Sequence, residues 1–165
     1  MPVKTLKITN DHFTSKGVRF PEGLGYIEIV NEITKLGYTL SPNGLVKTGQ
    51  QLFTEKGFNE QQPFTEEWIN DRIDTFKKCE ALAPFLVRKN KSQHLVGSYG
   101  FKHAMERLLT EHYVSNGEVI LIMLKIGYGL QHRGGDNPNV DFLCTYSNSD
   151  VVELLTHARY KGHKF

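Results

Sequence analysis

The segment from Ser98 to Tyr128 constrains the fold more than any other part of the chain. Its first half repeats apolar residues at a helical period, which predicts an amphipathic helix lying on a core. The members of this apolar stripe are Phe101, Ala104, Met105, Leu108, Leu109 and His112. We expect the polar residues between them to face outward, and these are Lys102, His103, Glu106 and Arg107.

The second half of the same segment predicts a buried helix. Six consecutive apolar residues, Val119 to Leu124, follow Ser115-Asn116-Gly117-Glu118, which has the Ser-x-x-Glu form of a capping box. Gly127 follows the run, and glycine commonly closes helices in the left-handed conformation. A helix that is apolar on nearly every side must be covered on nearly every side. Because short apolar runs are ambiguous, a buried strand over 119–124 stays open as an alternative.

Two more helices are predicted in the first third of the chain. Apolar residues at helical spacing run from Gly23 to Leu36 and are followed by Gly37, while a second helix is expected over about 45–56, ending at Gly57. The sequence Lys-x-Gly-Tyr occurs at 35–38 and again at 125–128. We interpret this recurrence as a shared way to close helices, not as a duplication of two binding lobes, because nothing outside these endings matches.

Further elements are expected on either side of the central segment. Thr65 is the predicted cap of the longest helix, which should continue to about Ala83. A short strand is predicted over 140–146, and a last helix over about 151–160. Residues 3–10 alternate weakly and could pair with that strand.

Together these patterns predict a mainly α fold: a compact single domain of residues 1–165, with five or six short helices and room for one small two-stranded β element. Residues 1–20 are a candidate N-terminal arm, and 160–165 form a basic C-terminal tail. Cys79 and Cys144 are far apart in sequence, and we interpret them as buried thiols, not as a disulfide.

Several classes of protein are disfavoured by what the sequence lacks. No segment has the apolar length of a membrane span, and the N-terminus lacks the apolar region of a secretory signal, so we expect an intracellular protein with no membrane partner. No metal-binding or phosphate-loop spacing is present, so we expect neither a metal nor a cofactor. Binding is favoured over catalysis, and a deep pocket with a perturbed His103, His112 or His132 would instead indicate an enzyme.

Charge is distributed unevenly along the chain. Residues 1–75 hold 8 basic and 10 acidic side chains, whereas residues 76–165 hold 12 basic and 8 acidic ones. Our first hypothesis is therefore a non-enzymatic nucleic-acid-associated protein, DNA or RNA, which binds the phosphate backbone with little sequence preference. The predicted contact residues are Arg88, Lys89, Lys91, Lys102, Arg107, Arg159 and Lys161.

A protein-interaction or assembly subunit is the alternative hypothesis. Such a protein would be a small accessory or structural component of a virus or of a large complex, with exposed aromatic residues as docking points. The two helices of 98–128 match the outline of a helix-turn-helix, but the second one has almost no polar face with which to read bases. Salt dependence separates the two hypotheses, because phosphate contacts release counterions.

Overall fold

The computed structural model describes residues 17–89, 95–109, 113–134 and 136–147. Within these ranges the chain forms five helices and nine short strands. The helices are α1 (Tyr26–Lys35), α2 (Glu66–Asp71), α3 (Ile73–Leu86), α4 (Ser98–Leu109) and α5 (Asn116–Lys125). The strands are β1 (Tyr38–Ser41), β2 (Gly44–Lys47), β3 (Gln51–Thr54), β4 (Gly57–Glu60), β5 (Val87–Lys89), β6 (Val96–Gly97), β7 (Leu130–His132), β8 (Val140–Phe142) and β9 (Cys144–Tyr146).

These strands make the fold mixed α/β, so the prediction of a mainly α fold is wrong. Helix accounts for 43% and strand for 25% of the described residues. The strands form four small antiparallel sheets: the hairpins β1-β2 and β3-β4, the pair β5-β9, and a three-stranded sheet in the order β6-β8-β7. Each strand has four residues or fewer, which is too short for a two-residue period to stand out in the sequence.

The helix predicted over about 45–56 is replaced by β2 and β3. Gly49 lies between these strands with φ +94°, and Gly57 has φ +89°; glycine adopts this left-handed region at little cost. Gly57 resembled the residue that ends a helix, but it pairs with Thr54 at the turn from β3 to β4. A left-handed glycine after a lysine therefore marked a hairpin here, not a helix end.

The helix endings at 35–38 and 125–128 behave as expected. Gly37 and Gly127 have φ +88° and +91°, directly after α1 and α5. Tyr38 and Tyr128, which follow them, are both buried. These observations support the interpretation of the recurrence as a helix-closing feature.

The long helix predicted from Thr65 is divided in two. The Thr65 hydroxyl accepts a hydrogen bond from the Trp68 amide at 3.1 Å, which confirms it as a cap. Arg72, with φ −109°, interrupts the helix between α2 and α3. This break directs the Arg72 side chain towards the start of α5.

Helix α5 is the centre of the molecule, as its sequence predicts. All residues from Asn116 to Leu124 are buried, and α1, α3, α4 and the β1-β2 hairpin pack around the helix. The capping box is formed: the Ser115 hydroxyl accepts from the Glu118 amide at 3.2 Å, and the Glu118 carboxylate accepts from the Ser115 amide at 2.9 Å. Each large apolar side chain buried here stabilises the fold by about 1.5 to 3 kcal/mol.

Other expectations have mixed outcomes. The strand predicted over 140–146 is present as β8 and β9, and both cysteines are buried free thiols whose pKa burial raises to about 12. The strand expected over 3–10, the helix over 151–160, the basic tail and most of the N-terminal arm lie outside the described residues. None of the described helices is long and apolar enough to cross a membrane.

Candidate functional site

Polar and charged side chains gather at both ends of α5. At the N-terminal end they line a pocket, and at the C-terminal end they form a cluster of positive charge. The ten residues of α5 span about 15 Å, so the two groups are separate features.

The entry to α5 is fixed by an ion pair with Glu118, whose residue is only 1% exposed. Arg72 donates to both oxygens of this carboxylate, from Nε at 2.8 Å and from Nη2 at 3.0 Å. The indole of Trp68 donates to it as well, at 3.3 Å. Hydrogen bonding to Glu118 raises the pKa of Arg72, so the guanidinium stays charged.

The same network holds the residues that precede α5. Arg72 donates to the carbonyl oxygen of Tyr113, and the Val114 amide donates to Glu106 at 3.3 Å. Because the Ser115 amide is already held by the capping box, three consecutive residues are anchored through their backbones. The residue Tyr113 is nevertheless 62% exposed. The structure therefore presents an exposed aromatic ring on a fixed backbone.

A pocket of about 360 Å³ opens beside this ring. It lies where α4, the segment before α5, the β1-β2 turn and the loop before β8 meet. The lining residues are Pro42, Asn43, Tyr99, Lys102, Tyr113, Asn116, Pro138 and Asn139. Its size is within the range of small-ligand sites.

Lys102 lies in the wall of this pocket, which corrects the expectation that it faces outward. The residue is only 8% exposed, and its Nζ lies 2.9 Å from a Glu106 oxygen. The same Nζ is 4.9 Å from the ring centroid of Tyr113 and 5.9 Å from that of Tyr99. The segment before α5 folds back over this side of α4 and covers Lys102. The sequence of α4 alone contains no pattern that would predict this contact.

Asn116 ties three parts of the pocket together. Its Nδ2 donates to the carbonyl oxygens of Asn43 and Pro138, both at 3.1 Å, and to Oδ1 of Asn139 at 3.0 Å. The residue is 7% exposed, and its own Oδ1 has no hydrogen-bond partner among the described residues. An acceptor that is buried without a donor is energetically unfavourable.

At the other end of α5, two cations, Lys89 and Arg19, lie against the turn at 127–129. Two more are near it along the chain, since Arg88 precedes Lys89 in β5 and Lys125 ends α5. We call Arg19, Arg88, Lys89 and Lys125 the basic cluster. A Cβ added to Gly127 would lie 2.9 Å from Nζ of Lys89, and one added to Gly129 would lie 3.5 Å from Nε of Arg19. Lys125 is the last residue of α5, two positions before Gly127.

The structure places the basic cluster next to backbone and aromatic groups: Lys89 lies over Tyr128, and Lys125 lies over Tyr26. Across the described ranges, none of its four members lies within ion-pair distance of a carboxylate. Arg88 donates instead to the carbonyl oxygen of Ser147. By contrast, Lys35, Arg72, Lys102 and Arg133 each pair with a carboxylate. The described residues therefore form no direct ion pair with the basic cluster.

The rings beneath the basic cluster are packed against the protein. Nζ of Lys89 lies 5.5 Å from the ring centroid of Tyr128, and Nζ of Lys125 lies 5.7 Å from that of Tyr26. Tyr128 is buried and donates to the Val87 carbonyl at 2.7 Å, and burial raises its pKa, so the phenol stays protonated. These rings support the two ammonium groups from below.

The predicted contact residues are therefore distributed over several places. Arg88 and Lys89 belong to the basic cluster, Lys102 lines the pocket, and Arg107 is partly buried in the last turn of α4. Lys91, Arg159 and Lys161 lie outside the described residues.

Sequence reasoning missed several residues that the structure brings to these two places. Tyr99 carries a usable signal, since an aromatic residue three positions before Lys102 on one helix indicates a shared face. The others, Arg19, Lys125, Tyr113 and Asn116, come from separate segments and gave no comparable signal.

His132, one of the candidates for catalysis, has a structural environment. Its Nε2 lies 2.7 Å from the Leu45 carbonyl oxygen, and its Nδ1 accepts from the Gly134 amide at 3.0 Å. Burial lowers its pKa, so the ring is neutral and both nitrogens are occupied by backbone groups. His112 lies outside the described residues, and within them no group of three or more His, Cys, Asp or Glu side chains is placed to hold a metal ion.

Comparison with known proteins finds no matching family model, no similar curated protein and no similar solved structure. The geometry of the pocket and of the basic cluster is therefore the basis for functional inference.

Proposed function

We propose that the protein is a non-enzymatic nucleic-acid-associated protein that binds the phosphate backbone through the basic cluster. The observation that supports this most is the position of Lys89 and Arg19 against one turn, without carboxylate partners among the described residues. Phosphates are the usual partners of such a patch, and their neutralisation releases counterions. The proposal includes an intracellular location, where nucleic acid is abundant.

The spacing of the basic cluster suits one short stretch of backbone. The Cα atoms of Gly127 and Gly129 are at most about 7.6 Å apart, because consecutive Cα atoms are 3.8 Å apart. Lys89 and Arg19, which lie beside these two glycines, can therefore contact phosphates of the same strand. The guanidinium of Arg19 can hold a phosphate with two parallel hydrogen bonds.

Binding at the basic cluster should show little sequence preference. Tyr128 is buried, and Tyr26 packs edge to face on Phe76 with ring centroids 5.0 Å apart, so neither ring is free to stack on a base. Contacts to phosphates position a protein without reading the sequence. Lys91, Arg159 and Lys161 remain candidate contacts of the same kind.

The test is a fluorescence titration of labelled DNA and RNA, single- and double-stranded, between about 50 and 200 mM salt. Arg19→Gln and Lys89→Gln should each weaken binding to all sequences alike and reduce the slope of log affinity against log salt by about 0.7 to 0.9. Lys35→Gln is the matched control. It removes the same charge, but Lys35 lies at the far end of α1 from Tyr26 and hence from Lys125.

Two results contradict the proposal. Absence of binding to every nucleic acid at the lower salt concentration would remove it. An equal loss of affinity in Lys35→Gln and Lys89→Gln would show that net charge, and not the basic cluster, accounts for binding.

A protein-interaction function is the second candidate, and the β3-β4 hairpin favours it. Phe53 and Phe58 pair across the hairpin with ring centroids 5.2 Å apart, and both are largely exposed. In the described part of the chain, neither strand pairs with a third one. A second copy of the chain could cover both features in a symmetric contact. Sedimentation of the protein and of Phe53→Ser tests this: a dimer lost in the variant supports it, and a monomer in both removes it.

A further inference from the structure

The pocket at the start of α5 presents two aromatic rings whose backbones are fixed. Tyr113 belongs to the segment anchored by Arg72 and Glu106, and Tyr99 lies in the first turn of α4. Their residues are 62% and 52% exposed. Tyrosine offers a large flat surface with few rotatable bonds, so little conformational freedom is lost when another flat group stacks on it.

Polar groups in the pocket wall complement the edge of a flat ligand. The ammonium of Lys102 lies near both rings and donates hydrogen bonds. Asn43 and Asn139 add amide groups to the wall: Nδ2 of Asn43 is held by Gln61 and Oδ1 of Asn139 by Asn116, so Oδ1 of Asn43 and Nδ2 of Asn139 are the atoms offered to a ligand. Oδ1 of Asn116 is buried and has no partner among the described residues. Nucleobases carry donors and acceptors together on their edges and are read in this way when unstacked.

The charge of the pocket favours a base over a free anion. Glu106 lies 2.9 Å from Nζ of Lys102 and compensates its charge. The ammonium is therefore available as a hydrogen-bond donor more than as a site for a phosphate. The volume of about 360 Å³ accommodates a group of the size of a nucleoside.

We propose that this pocket binds one unstacked nucleobase, which lies against Tyr113 and Tyr99 and is hydrogen-bonded at its edge by Lys102 and the pocket amides. The base can belong to a free nucleotide or to a single strand. In the second case the proposal rests on the proposed function, since the same strand would also meet the basic cluster. Binding in the pocket would add base stacking, which depends little on salt, to the phosphate contacts at the basic cluster.

The experiment is calorimetric titration of the full chain with AMP, GMP, CMP and UMP separately, and with ten-nucleotide single strands. We expect at least one mononucleotide to bind, and Tyr113→Leu to weaken that binding roughly tenfold, as expected for loss of a stacked base. Tyr113→Phe, which retains the ring, should restore it. Phe85→Leu is the matched control, because Phe85 is an exposed aromatic residue on α3 outside the pocket lining. Each variant is checked for an unchanged unfolding transition.

The outcomes separate the two proposals. Mononucleotide binding supports the pocket, and if neither the ten-nucleotide strands nor double-stranded DNA or RNA bind in a salt-dependent way, the proposed function is contradicted. Salt-dependent binding of those strands that is unchanged in Tyr113→Leu, with no binding of any mononucleotide, contradicts the pocket proposal and leaves the basic cluster. The assignment of a nucleobase would also be overturned if inorganic phosphate bound with the same affinity as the mononucleotides. It would be overturned as well if N-acetyltyrosine amide bound and the mononucleotides did not.

Discussion

Replacing Arg72 with methionine should destabilise the protein strongly, because it leaves the Glu118 carboxylate buried without its cation. The variant loses both hydrogen bonds to that carboxylate and the one to the carbonyl oxygen of Tyr113. Breaking a buried ion pair by removing one partner costs about 3 to 5 kcal/mol. The Arg72 side chain is 29% exposed, which lets water reach part of the vacated space, so we expect the low end, about 3 kcal/mol.

Urea denaturation followed by tryptophan fluorescence measures this loss directly. Trp68 is the sole tryptophan of the chain, and its indole donates to Glu118, so its emission reports on the ion pair itself. The double variant Arg72→Met with Glu118→Met removes both charges and should be more stable than the sum of the single changes implies. If Arg72→Met lowered the free energy of unfolding by less than about 1 kcal/mol, the reasoning would be refuted, because exposed surface ion pairs contribute amounts of that size.

Three further changes test other parts of the structure. Gly117→Ala should prevent folding, because the added Cβ would lie 1.6 Å from the Ser41 carbonyl oxygen. The control Gly25→Ala should fold, because its Cβ meets only the Glu28 side chain at 3.2 Å, and equal stability of the two variants in thermal denaturation would contradict the packing around Gly117. Ser115→Ala should cost about 1 kcal/mol by loss of the cap, measured by urea denaturation, and an unchanged midpoint would be inconsistent with it. An NMR titration should show a pKa for His132 below its usual value, because burial disfavours the charged ring. The contribution of this neutral ring to the free energy of unfolding is therefore complete above a pH of about 6.5 and falls at lower pH, where the unfolded chain binds the proton more readily. A pKa above about 6.5 would contradict the buried neutral ring.

The parts of the fold that the sequence predicts well are those determined locally. The capping box of Ser115 and Glu118 involves residues three apart, and Gly127 ends its helix by its own backbone conformation. The length of the apolar run after Glu118 was enough to place α5 at the centre. Such features are visible in the sequence because they need no distant partner.

The features that sequence reasoning missed depend on distant contacts. The sequence predicts one helix where β2 and β3 lie, because each of these strands is stabilised by pairing with another strand, β1 or β4, and not by a pattern of its own. The helical pattern predicts Lys102 in solvent, but Tyr113, from a segment outside the helix, covers it. Tyr99 and Tyr113 belong to one pocket only through the fold. Residues at long range meet in ways that spacing along the chain does not encode.

The central claim is that nucleic acid is bound at the two ends of α5, and chemical-shift mapping tests it most directly. A ¹⁵N-labelled protein would be titrated with a ten-nucleotide single strand at about 50 mM salt, where phosphate contacts are strong. We expect the largest backbone shifts at Arg88, Lys89 and 127–129, together with a second group at 113–116. Shifts confined to the β3-β4 hairpin, or none at saturating oligonucleotide, would contradict the account.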